Sequence, residues 1–177
     1  MAQPLLEGED YARTLFDAIP DLVLIIDGYL RIHDVNRAAS QVLGPKAEIL
    51  LRKLCGEVLH CLHAQDSEDG CGTTDHCPNC VLRQTCDHVS RGKRTLRRLA
   101  EMALQRDGRV RRVWYLVTGA PFTYAGRDLV IMTLEDITEV VELRQLVPIC
   151  VHCGKVRDDD DFWQHVQEYL RKYTRID

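Results

Sequence analysis

Residues 17–39 read DAIPDLVLIIDGYLRIHDVNRAA, and this stretch decides the fold. Asp21–Ile26 is a mainly apolar run, short enough for a buried strand. Asp27-Gly28 supplies a tight turn, and Leu30–Val35 reads as the returning strand. Before the run, Tyr11, Leu15 and Ile19 lie four apart, which predicts an amphipathic helix over residues 8–19 that Pro20 ends. After it, Asn36 is placed to cap a short helix through Leu43, with Gly44 and Pro45 as its stop.

Working outward, Leu51, Leu54, Val58 and Leu62 recur every three or four residues, which predicts one amphipathic helix from Ala47 to Leu62. Residues 63–76 lose all periodicity and are rich in Asp, Gly and Thr, so they read as a loop. Pro78 suits the first turn of a further helix to about Arg91, with Gly92 as its stop. Arg109–Thr118 and Leu129–Leu134 are strand-like, with turns at Asp107-Gly108 and Tyr124–Arg127. In Thr95–Leu104 the residues Leu96, Leu99 and Met102 repeat at helical spacing, but the hairpin turns nearby favour a strand. Ile137–Leu146 reads as a helix. This order predicts an α+β fold with one antiparallel sheet. The expected segments are an N-terminal helix (1–20), a central domain (21–136) carrying a Cys-rich insert (55–86), a connecting helix (137–146) and a tail (147–177).

The chain has 177 residues, 45% hydrophobic and 28% charged, a globular balance rather than a disordered one. It lacks a run of eighteen apolar residues and a signal-peptide pattern at Met1–Glu7, so a cytoplasmic location without a membrane span is expected. In that reducing setting, its eight cysteines read as metal ligands or redox groups before disulfides. Net charge is −4, yet Arg91–Arg112 holds nine basic residues against Glu101 and Asp107. No nucleic-acid motif accompanies that run, so it reads as a solvated face of the sheet and a nucleic-acid partner is not expected.

Three segments in order resemble the PAS family of bacterial sensory domains. They are Asp17–Asp21 leading into Leu22–Asp27, Asp34-Val35-Asn36-Arg37-Ala38-Ala39, and the Leu134-Glu135-Asp136-Ile137-Thr138-Glu139 junction. The resemblance covers roughly residues 10–145. It implies a five-stranded antiparallel sheet with helices over one face and a pocket between them. It also implies small-ligand or cofactor binding, a homodimer through flanking helices, and relay to a downstream signalling protein. The output would act through a partner or an effector segment outside this sequence.

Cys61, Cys71, Cys77 and Cys80 carry the strongest chemical signal. Cys77 and Cys80 form a CxxC that brings two sulfurs to one ion, and Cys71 lies between Gly70 and Gly72, where backbone can fold tightly. Cys61 is expected near a helix end and Cys80 in a first helical turn, where the helix dipole favours a thiolate. Four such thiolates could close a tetrahedral site. Zinc and an iron–sulfur cluster both accept four cysteines; the commonness of tetrahedral Cys₄ sites puts zinc first, and spacing does not separate the two. The run from Gly56-Glu57-Val58-Leu59-His60-Cys61 through Gly70-Cys71-Gly72 to Cys77–Arg83 resembles a subclass of PAS sensors with cysteines between the middle helices, which implies that the four belong together. His63 and His76 compete as ligands. Cys55 and Cys86 read as core, and His88 offers a minor haem option.

The tail holds Cys150 and Cys153 in a Cys-x-x-Cys-Gly-Lys turn, followed by an expected amphipathic helix Phe162–Tyr173. The pair resembles half of a zinc knuckle, a candidate second half-site that His165 or a second subunit could complete. Three functions follow, in order: a sensory or regulatory PAS module with a Cys₄ metal site, a zinc-stabilised interaction domain without sensing, and a thiol oxidoreductase using Cys77 and Cys80. With neither a carboxylate pair, a nucleophile triad nor a phosphate loop in view, the chain is not expected to be an enzyme.

Overall fold

Asn36 organises the entry to the sheet. A computed structural model describes residues 9–43, 51–106, 108–146, 150, 152–153, 155–157, 163–165 and 168. In it α1 (Glu9–Ala18) leads to β1 (Leu22–Ile26), β2 (Ile32–Val35) and α2 (Arg37–Leu43). Asn36 is fully buried. Its Oδ1 accepts from Val23 N–H and Ala39 N–H, each at 3.0 Å, and its Nδ2 donates to Ile19 O and Asp21 O, each at 2.9 Å. One side chain thus caps α2, closes the end of α1 and holds the start of β1.

The predicted helix Ala47–Leu62 does not form as one element. Residues 44–50 lie outside the described set. Arg52 N–H donates to Ile32 O at 2.7 Å, and Ile32 N–H donates to Lys53 O at 2.9 Å, so 52–54 pair with β2 instead of coiling. Arg52 (φ 68°) and His60 (φ 58°) also leave the helical region. Among the described residues of this stretch, the helical parts are the short turns α3 (Cys55–Val58) and α4 (Leu62–Gln65). The three-to-four spacing marks residues that reach the core from different elements.

A 3₁₀ turn, Cys77–Asn79, precedes α5 (Val81–Ser90). Cys80 is therefore the extended N-cap of α5, not part of its first turn. Three long strands follow: β3 (Thr95–Arg106), β4 (Arg109–Tyr124) and β5 (Arg127–Asp136). The sheet runs β2-β1-β5-β4-β3, antiparallel throughout. Alternation explains the strand outcome in β3, since Ala100, Met102 and Leu104 turn inward while Leu99 is exposed, and a register shift between Thr95 and Arg98 leaves Leu96 exposed as well. Inward residues of all five strands meet Ala39, Val58, Leu59, Leu82 and Val89 in one core, so the helices cover one face. On the other face, Arg97 pairs with Glu135 at 2.7 Å and Arg112 with Glu101 at 3.4 Å.

Helix α5 lies close on β4. A Cβ at Gly119 would stand 2.7 Å from Thr85 Cγ2 and 3.0 Å from Val89 Cγ2. Gly119→Val is expected to lower unfolding free energy by about 2 kcal/mol through overpacking, read as an earlier urea midpoint.

The β1–β2 turn carries a pH-dependent element. The Asp27 carboxylate accepts from Tyr29 N–H at 2.9 Å and Arg31 N–H at 3.0 Å, and lies 3.2 Å from His33 Nε2. Burial acts to raise its pKa, but these donors outweigh burial and hold it below the ordinary 3.8. A depressed carboxylate stabilises the fold above its unfolded pKa, and that contribution is lost as pH falls through the folded value. Asp27→Asn is therefore expected to flatten the decline of the urea midpoint below about pH 4.

The chain divides into two units, Met1–Asp136 and Ile137–Asp177. In the second, α6 (Thr138–Leu146) is followed by a small antiparallel pair, β6 (Val156–Arg157) with β7 (Trp163–Gln164). The expected helix Phe162–Tyr173 is corrected at its start, where Trp163 and Gln164 are strand and His165 is irregular; Glu168 is helical and the remainder lies outside the described residues. Among the described residues, no helix is long and apolar enough to cross a membrane.

Candidate metal centre

The residues between α3 and α5 form a lobe against the free edge of β3. Cys61 makes an antiparallel bridge with Leu104, and Gln105 N–H donates to His60 O at 2.8 Å. His60, in the left-handed region, turns the backbone so that this carbonyl reaches the strand. The lobe thereby supplies the partner that the outer strand otherwise lacks.

Cys61, Cys71, Cys77 and Cys80 line one cavity of about 190 Å³, together with His63 and His76. Each of three thiols is held by backbone of its own surroundings. The N–H groups of Ala64 and His63 face the Cys61 thiol, whose pKa burial nevertheless raises. Cys71 Sγ lies against Gly56, where a Cβ would stand 2.6 Å from it. Burial raises this thiol as well, against a hydrogen bond with the Gly56 backbone and the charge of Arg83. Cys77 accepts from Gly72 N–H at 3.2 Å and has the Thr74 hydroxyl at 3.2 Å. Burial opposes its ionisation, but those partners and Arg83 prevail and lower its pKa.

Gly72 has φ 106°, and a Cβ there would collide with the Arg83 guanidinium. A glycine is required on both counts: for the backbone angle and for the cation lying over the loop. The His63 and His76 rings stack at 3.9 Å between centroids, and His63 Nδ1 lies 3.3 Å from Asp66 Oδ2. Among the described residues, no three His, Cys, Asp or Glu side chains converge as an ion-binding group. The four cysteines share one cavity without closing on a single point.

Of the other sequence candidates, Cys55 also lines this cavity, whereas Cys86 and His88 do not. Cys86 is fully enclosed in the core, where its Sγ donates to Asp27 O at 3.3 Å. Cys55 is also buried, and burial raises its thiol pKa well above the ordinary value. His88 is exposed at the end of α5 and does not line the cavity. Cys150 N–H donates to Lys155 O at 2.8 Å, and hydrogen bonding to Cys153 and His152 lowers the Cys150 thiol pKa. His165 follows β7 and is exposed. The Cys77–Cys80 turn enters α5 from a loop, and every strand pairing is antiparallel, so it is not the strand-to-helix junction of a βαβ redox motif. Sequence reading did not single out Thr74 or Arg83 as partners of the thiols. Arg83 was legible only as the end of the Cys77–Arg83 pattern.

Residues 11–76 match the sequence family described as PAS domain. A search of curated proteins found no match. Among solved structures, the PAS domain of a protein from Colwellia psychrerythraea is similar, with a TM-score of 0.51 and 16% identity over 73% of this chain and 97% of that one. The PAS domain of the HTR-like protein from Haloarcula marismortui is similar at TM-score 0.50 and 20% identity, over 72% and 90%. The PAS domain of nitrogen regulation protein NR(II) from Vibrio parahaemolyticus aligns at TM-score 0.48 and 18% identity, over 71% and 97%. The strand order, the single helical face and these matches agree: the α+β sheet has the PAS fold, and residues 11–76 match the PAS domain family.

Proposed function

We propose that this chain is a sensory PAS module whose input is a metal centre held by Cys61, Cys71, Cys77 and Cys80. A sensory role in signal transduction is what PAS domains of this fold typically serve. The metal reading rests on one observation: four thiols line a single cavity in a lobe whose backbone pairs with β3. The residues fit such a group, because thiolate ligands need hydrogen-bond donors and nearby positive charge, and Gly72, Thr74 and Arg83 supply them to Cys77. Zinc or an iron–sulfur cluster would satisfy the donor set.

A change at the centre would move Cys61 and His60, and through them the hydrogen bond to Gln105 on the sheet. Output then passes to a downstream signalling protein, in a homodimer built on the flanking helices, with the chain itself not catalytic. Cys150 and Cys153 form a second half-site in the tail, and a small-molecule ligand is a further candidate input. Metal analysis after anaerobic, chelator-free purification tests the reading. Bound metal that disappears in Cys77→Ser supports it; a metal-free protein that takes up neither zinc nor iron contradicts it.

A further inference from the structure

We infer that the cysteine cavity takes a polynuclear cluster of iron and inorganic sulfide in place of a single zinc ion, an inference that rests on the metal-centre reading above. The argument is one of space. Four thiolates closing on one zinc at about 2.3 Å stand roughly 3.8 Å apart and leave no void between them. Here they share the lining of a partly open cavity of about 190 Å³ with other side chains. A dry cavity of about 150 Å³ already accommodates a benzene ring. The volume calls for a ligand with its own bulk.

The thiols are also held on separate walls. Cys61 is fixed by the start of α4 and the bridge to Leu104, Cys71 by the backbone of α3, and Cys77 by Gly72 and Thr74. Drawing all four onto one ion would break these contacts, in keeping with the lack of a convergent ion-binding group among the described residues. A core of bridging iron and sulfide instead spans the gap and leaves each thiol on its wall. Leu30, Val81, Leu82 and Met102 supply apolar surface to the same cavity, an environment that shields such a core.

Anaerobic reconstitution separates the alternatives. Full-length protein is incubated either with ferrous iron and sulfide or with zinc alone, and bound iron, acid-labile sulfide, zinc and the visible spectrum are read. The inference expects iron and sulfide in equal number, at least two of each per chain, with thiolate-to-iron absorption. It also expects Ala64→Leu, which adds bulk to the cavity and keeps all four thiols, to lose cluster uptake. Ala100→Leu, from an inward position of β3 that lines the same cavity, repeats that test should the first variant fail to fold by circular dichroism. One tightly bound zinc without sulfide uptake overturns the inference and leaves the metal-centre reading standing. Cluster uptake undiminished in folded Ala64→Leu and Ala100→Leu overturns the space argument. Uptake of neither metal overturns both.

Discussion

Asn36→Ala is expected to destabilise the protein by about 3 kcal/mol, the sum of a lost helix cap and buried backbone groups left unpaired. Truncation orphans Val23 N–H and Ala39 N–H as well as the carbonyls of Ile19 and Asp21, all bonded by this one side chain. The loss corresponds to a fall in Tm of roughly 10 °C. Asn36→Asp is expected to be at least as damaging although its shape is the same. The carboxylate keeps the cap acceptor but removes both Nδ2 donations and turns negative charge toward two carbonyl oxygens. Urea denaturation of the three proteins checks this. A midpoint for Asn36→Ala within error of wild type contradicts the role assigned to Asn36.

The second large effect is chemical. Cys61→Ser, Cys71→Ser, Cys77→Ser and Cys80→Ser are each expected to lower bound metal at least tenfold, whereas Cys86→Ser keeps it. Cys86 is as deeply buried as any residue and lies outside the cavity lining, so its substitution costs stability instead. Cys77→Ser should be the most severe, since Gly72, Thr74 and Arg83 hold that thiol below its ordinary pKa. Equal metal content in Cys77→Ser and Cys86→Ser contradicts the assignment of ligands. Elemental analysis beside circular dichroism separates lost ligation from lost folding.

The sequence made some of this legible because certain residues have only one use where they stand. Pro20 must end α1, Asn36 must cap α2, and the β4–β5 turn follows from Tyr124–Arg127. β3 could be read as strand only by setting aside the helical spacing of Leu96, Leu99 and Met102, because periodicity counts apolar residues without knowing which face is wet. Leu96 and Leu99 are exposed, so two of the three helical markers were never core. The same blindness joined Leu51, Leu54, Val58 and Leu62 into one helix. Hydrogen bonds from 52–53 to β2 are long-range, and local spacing carries no trace of them.

Cys61, Cys71, Cys77 and Cys80 line one cavity, and their nearness was readable because CxxC and Gly-Cys-Gly spacing is local chemistry; that Cys55 lines it too was not. Their attachment to β3 was not legible, since it depends on the carbonyl of His60 meeting Gln105 some forty-five residues later. The cation over the loop was equally hidden, as Arg83 reaches Gly72 across the turn into α5.

Amide hydrogen exchange over β3, compared between metal-loaded and metal-stripped protein, tests the central claim most directly. Removing the metal is expected to release the lobe from the strand, so that protection at Gln105 falls by at least tenfold while Val23 and Met132 in the sheet interior keep theirs. Unchanged protection at Gln105 after complete metal removal would contradict the claim, because the centre would then have no path into the sheet.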